Sequence, residues 1–125
     1  MGGIPKKLVE LILDRDGGQC VVAGPHCTGR GEVAHHRANR GMGGSKLLND
    51  PRNLVACCGL DNGWVEDAHG QELAGLIDAG HRVRKGATNA KTLAATASKP
   101  VRYPDGSWWF LLADGTRQVS SDPGF

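Results

Sequence analysis

Aromatic residues are scarce in this chain of 125 residues: three Trp, one Tyr and two Phe. Leu, Ile, Val and Phe together make up about a fifth of it, close to the level below which chains begin to look disordered. These two shortages exclude a large enzyme core. Long hydrophobic runs are missing too. None approaches the ~20 residues that span a bilayer, and no apolar segment follows the N-terminus, so neither a membrane span nor a signal peptide is expected. Charge of one sign is not in excess either: 15 basic and 13 acidic residues leave a net +2, far from a histone-like balance. Glycine is what the chain has in quantity, 19 residues, roughly twice average usage. The expectation is a small, soluble, intracellular, loop-rich domain. Its hydrophobic burial is thin, and it would gain from a metal or a disulfide as a staple.

Local charge says more than the total. Between positions 30 and 52, Arg30, Arg37, Arg40, Lys46 and Arg52 face only Glu32 and Asp50. A basic stretch on a near-neutral protein fits a phosphate-contacting loop, against the simpler reading of a solvated surface loop. Along the chain, positions 4–16 read as a helix, with Pro5 in its first turn, Leu8, Val9, Leu11, Ile12 and Leu13 as apolar stripe, and Gly17-Gly18 as stop. Short strands are expected at 32–36 and 53–57. Between them, 37–52 has no apolar period but carries Gly41, Gly43, Gly44, Asn49, Asp50 and Pro51; structured loops of this length are usually functional. Asp61 can cap a helix over 61–79 with Val65, Leu73, Leu76 and Ile77 inward, followed by a short strand at 81–85. The polar, Ala-rich segment 86–99 reads as a linker or weak helix. Two turns, at 104–106 and 113–115, then punctuate a β-hairpin. The expected organisation is a module over 1–85, a linker over 86–99 and a β-hairpin appendage over 100–125.

Four features fall in order within 45 residues: Cys20 and Cys27, the doublet His35-His36, Asn53, and the cluster Cys57-Cys58-Gly59-Leu60-Asp61-Asn62. Each is weak alone. A strand ending in His-His, a Gly-rich basic loop, Asn-Leu opening a second strand and a helix starting just after a cysteine form a more specific succession. The stretch His35-His36-Arg37-Ala38-Asn39-Arg40-Gly41-Met42-Gly43-Gly44-Ser45, then Asn53-Leu54-Val55, then Cys58 and Asn62-Gly63-Trp64-Val65-Glu66, resembles the HNH endonuclease family in the form common in bacteriophage genomes. The likeness covers roughly positions 18–80. It implies an α+β fold built on a ββα-metal module, in which two antiparallel strands and a helix pinch one divalent cation, and a metal-dependent endonuclease that hydrolyses DNA.

The chemistry accounts for these residue types. Hydrolysis of a phosphodiester needs a deprotonated water, charge neutralisation on the phosphate and help for the leaving 3′ oxygen. A neutral imidazole, with a reference pKa of ~6.5, suits the first task. The resemblance implies that His36 is the general base, that His35 is a metal ligand, and that Asn53 ties the loop to His36 and orients its ring. Strict strand alternation would send the two rings to opposite faces, so both serve one site only if the strand ends or distorts there. At the third family position stands Asn62, making this an HNN variant. Its carbonyl oxygen is a hard ligand, which tilts the site toward Mg²⁺ or Mn²⁺, unless Asn62 only helps start the helix. Arg37, Arg40, Lys46 and Arg52 are candidate nucleic-acid contacts. Glu66, one turn past Asn62, could reach the metal's water shell or be a surface charge.

Many family members brace this core with two C-x-x-C pairs. Here a structural zinc set would be Cys20, Cys27, Cys58 and Asp61, with His26 or Cys57 as substitutes for the fourth ligand. Its rivals are buried free thiols with Asp61 as a helix cap, or a disulfide between Cys20 and Cys27, which an intracellular setting disfavours. The resemblance further implies double-stranded DNA as partner, phage packaging proteins as protein partners, no membrane, and the cytoplasm of the infected or host bacterial cell. The alternative function is a non-catalytic, zinc-braced nucleic-acid-binding module. Asn62 and the modest charge favour that alternative, while the presence of both His36 and Asn53 argues against it.

Overall fold

A computed structural model describes residues 3–39 and 46–120, as an α+β architecture with four helices and two small antiparallel sheets. Helix α1 (Lys6–Arg15) follows Pro5, buries Ile12 and has Leu8 and Leu13 packed against the core. Strand β1 (Val33–His36) pairs with β2 (Leu54–Cys57) so that His35 sits opposite Val55 and His36 opposite Leu54. Every residue of β2 is buried, which its apolar run permits. Two short 3-10 turns, Lys46–Leu48 and Pro51–Asn53, lead into β2.

The helix expected over 61–79 is two helices, α2 (Gly59–Asp67) and α3 (Gly70–Asp78). Ala68 and His69 are extended and Gly70 has φ +60°, so the backbone turns out of the helix between them. Asp61 is not the cap of α2. Cys58 is, its thiol accepting from the Asp61 amide at 3.3 Å. This leaves the Asp61 carboxylate for other partners. The strand expected at 81–85 pairs with no other strand among the described residues.

Segment 86–99 is ordered as helix α4 (Asn89–Ser98), with the Thr88 hydroxyl accepting from the Lys91 amide. Thr92, Leu93 and Thr96 are its buried face. Strands β3 (Val101–Arg102), β4 (Trp108–Leu111) and β5 (Arg117–Ser120) form the second sheet. They join the same core as β2, through Val101, Tyr103 and Leu111. The tie is polar as well. Buried Asp16 accepts from the Ala56 amide at 2.9 Å and from the Tyr103 hydroxyl, and Arg15 reaches the carbonyls of Pro51 and Leu54 at 2.9 and 2.7 Å. Gly80, at φ +77°, lets α3 pass the β3 end of α4: a Cβ there would lie 2.1 Å from the Pro100 oxygen.

Candidate functional site

His35 and Asn62 come together across the strand–helix junction. In the succession β1, β2, α2 the helix brings Asn62, one turn after its Cys58 cap, to the His35 side of the ribbon. His35 Nδ1 lies 3.1 Å from Asn62 Oδ1, and its Nε2 lies 3.3 Å from the carbonyl oxygen of His81. Burial pushes the His35 pKa down to about 4, with the Arg82 charge adding to the effect. The ring is therefore neutral at neutral pH and carries one N–H. With Nε2 donating to the His81 carbonyl, Nδ1 presents a lone pair to Asn62 Oδ1, itself an acceptor. A cation between two such acceptors satisfies both, and cis ligands of an octahedral Mg²⁺ or Mn²⁺ lie about 3 Å apart. In the other tautomer, Nδ1–H donates to Asn62 Oδ1 and that pair is satisfied without an ion. Glu66 Oε1 stands 3.9 Å from His35 Nδ1, within reach of the water shell of an ion held there.

His36 has a different partner. Its Nε2 lies 2.8 Å from Asn49 Oδ1, and the ring is half-buried. A donor role for Nε2 makes Nδ1 the basic nitrogen of the neutral ring. β1 ends at His36. Asn53 does tie the loop, but at its backbone: Oδ1 accepts from the Ala38 amide at 2.7 Å, and Nδ2 donates to the carbonyls of Ala38 and Leu48 at 3.1 and 3.0 Å. A side chain that meets the His36 ring is thus Asn49, a loop position with no spacing to mark it. His81 supplies, through its carbonyl, a backbone partner of His35.

Among the expected phosphate contacts, Arg37 must be corrected. It is completely buried, and its guanidinium donates to the carbonyls of Gly80, Arg52, Thr96 and Lys99 at 2.7–2.8 Å. Two of these carbonyls are at the C-terminal end of α4, where the helix dipole favours a cation. No phosphate can reach it. Arg52 forms a two-pronged pair with Asp50, at 2.8 and 3.0 Å. Lys46 is exposed. Arg40 lies outside the described residues.

The cysteine set assembles as a cluster. One ligand atom from each of Cys20, Cys27, Cys58 and Asp61 lies within 4.8 Å of the others; a tetrahedral zinc would draw sulfurs to about 3.8 Å. The surroundings suit anionic ligands. The Gly29 amide donates to Cys27 Sγ at 3.2 Å and the Asp61 amide to Cys58 Sγ at 3.3 Å. Asp61 accepts from the amides of Gly24 and His26 at 2.8 and 3.3 Å, which fixes its carboxylate toward Cys20. Gly24 is needed here, since a Cβ would sit 2.9 Å from Asp61 Oδ1 and 2.8 Å from the Trp64 ring. A hydrogen bond from the Cys57 thiol holds Cys20 down to about 5, while burial pushes Cys27 up to about 12. Cys57, 4.0 Å from Cys20 Sγ, stays protonated as that donor. These four residues could bind a metal such as zinc. The purified protein is expected to carry about one zinc per chain, and Cys27→Ala to lose it. Elemental analysis finding none in the wild type would reduce Asp61 to an acceptor for its two amides.

Burial also pushes His81 down to about 4. His35 and His81 each titrate near 6.5 when unfolded and near 4 when folded, so the unfolded chain binds more protons between those values. Stability is therefore complete above pH 6.5 and falls as pH drops toward 4, by up to roughly 3 kcal/mol per histidine. Urea titrations across that window should show the loss, and His81→Gln should remove about half of it. A flat wild-type profile would contradict the burial argument.

No helix among the described residues is long and apolar enough to cross a membrane. No protein-family model, curated protein or solved structure matches the chain.

Proposed function

We propose that this chain is a metal-dependent endonuclease of the HNH type, in its HNN form, which hydrolyses phosphodiester bonds of double-stranded DNA on a ββα-metal module. The observation that carries the reading is the approach of His35 Nδ1 to Asn62 Oδ1, 3.1 Å, between an imidazole kept neutral by burial and a hard amide oxygen. His35 and Asn62 would hold Mg²⁺ or Mn²⁺, with Glu66 on its water shell. When bound, the cation supplies charge neutralisation at the scissile phosphate and stabilises the leaving 3′ oxygen. His36, with Nε2 engaged by Asn49, takes the proton of the attacking water at Nδ1. Asn53 holds the backbone at Ala38 and at Leu48 at a fixed separation. The cluster of Cys20, Cys27, Cys58 and Asp61 binds zinc and staples the start of α2 to the loop before β1, which the thin core needs.

One observation favours the alternative of a zinc-braced nucleic-acid-binding module that does not cleave. Adjacent side chains of a strand face opposite ways, and His35 and His36 do have separate partners. Relaxation of supercoiled plasmid separates the two readings. Nicking is expected with Mg²⁺ or Mn²⁺ and not with Zn²⁺ as the only added ion. Retention of supercoils with every ion would exclude the nuclease.

A further inference from the structure

Exclusion of Arg37 from the surface leaves the proposed cleavage site short of phosphate-binding charge. A groove of about 400 Å³ supplies it. Its floor is the apolar face of α3, Leu73 and Ile77. One wall is the extended segment after that helix, with Arg82, Arg84 and Lys85, and Asn39, just beyond β1, also lines it. None of the described lining residues is acidic. Its volume is that of a small-ligand site, and its wall carries three cations in four residues.

Arg82 links this groove to His35 through Glu66. Arg82 Nη1 is 3.9 Å from Glu66 Oε1, which in turn is 3.9 Å from His35 Nδ1. That Arg82 nitrogen is buried and has no hydrogen-bond partner among the described residues. A buried guanidinium N–H without an acceptor is costly, and an anionic oxygen entering the groove would satisfy it. The backbone of 82–85 is held in place meanwhile: the Arg82 amide donates to Leu76 O at 3.2 Å and the Val83 amide to Arg37 O at 2.9 Å. Arg37 thus fixes the backbone of the segment that carries the exposed cations. Arg84 and Lys85 are exposed, and neither side chain has an ion pair among the described residues.

We infer that the wall formed by Arg82, Arg84 and Lys85 is the rail for the DNA backbone on one side of the cleaved bond, with Arg82 on the innermost phosphate and Arg84 and Lys85 on those outside it. The inference rests on the endonuclease reading for the identity of the strand, and on the groove itself for the charge. Each lost phosphate contact lowers the slope of log Kobs against log salt by about 0.9.

The test is binding of a duplex oligonucleotide by the full chain, without added divalent cation, over a salt series. R84Q/K85Q should weaken binding and flatten the slope by about two contacts' worth, with an unchanged thermal midpoint because both side chains are exposed. The control K6Q/K7Q, on the exposed start of α1, should keep the wild-type slope. A wild-type slope and affinity in R84Q/K85Q would overturn the rail, as would an equal loss in K6Q/K7Q. Neither result touches the nuclease reading if the wild type nicks plasmid. Conversely, a wild type that never nicks, paired with a flattened slope in R84Q/K85Q, would remove the nuclease and keep the groove.

Discussion

His36→Ala is expected to slow DNA cleavage by about 10²–10⁴-fold, the usual worth of a positioned proton acceptor, with metal content and DNA affinity unchanged. The wild-type rate should rise with pH through a histidine-like pKa, and that limb should vanish in the variant. Asn62→Ala should differ in kind. It removes an oxygen 3.1 Å from His35 Nδ1, so metal affinity falls and a higher cation concentration partly restores the rate. His35→Ala should resemble Asn62→Ala and also lose stability, because the ring is buried. Asn49→Ala should keep metal and DNA binding but shift the pH–rate limb, since Asn49 Oδ1 sits 2.8 Å from His36 Nε2. An active His36→Ala protein beside an inactive, metal-competent His35→Ala protein would exchange the two roles.

The second large effect is on folding. Arg37→Met should destabilise the protein by about 3–5 kcal/mol, because it leaves four carbonyl groups in the interior without their donor. Arg37→Lys should recover little, since an ammonium cannot reproduce a planar fork spread over Gly80, Arg52, Thr96 and Lys99. Urea denaturation should show a lower midpoint at similar m-value. A stable Arg37→Met protein that merely binds DNA more weakly would return Arg37 to the phosphate role its sequence position suggests.

That residue shows where sequence reasoning stops. A basic side chain beside a histidine doublet reads as a surface contact, because arginine is rarely fully buried. Its four acceptors come from positions 52, 80, 96 and 99, and no local pattern announces such a gathering. The elements with local signals are legible: β2 by its apolar run, α1 by Pro5 and the Gly17-Gly18 stop, the C-terminal strands by their Asp-Gly turns. Segment 86–99 was less so, since helix α4 draws its order from burying Thr92, Leu93 and Thr96 rather than from an apolar stripe. The break between α2 and α3 depends on Gly70 at positive φ, which a helical count over 61–79 overlooks. In the candidate site, Cys20, Cys27, Cys58 and Asp61 were readable as one set and do gather. The Asn49 contact with His36 and the His81 carbonyl at His35 depend on tertiary approach, and neither position carries a distinguishing spacing.

A divalent cation is proposed at His35 and Asn62. Titration of Mn²⁺ into the zinc-loaded protein, followed by electron paramagnetic resonance of the free ion, tests it most directly. About one Mn²⁺ per chain should bind beyond the zinc cluster, displaced by Mg²⁺ and markedly weakened in Asn62→Ala. Equal Mn²⁺ binding by wild type and Asn62→Ala, or none by either, would contradict it.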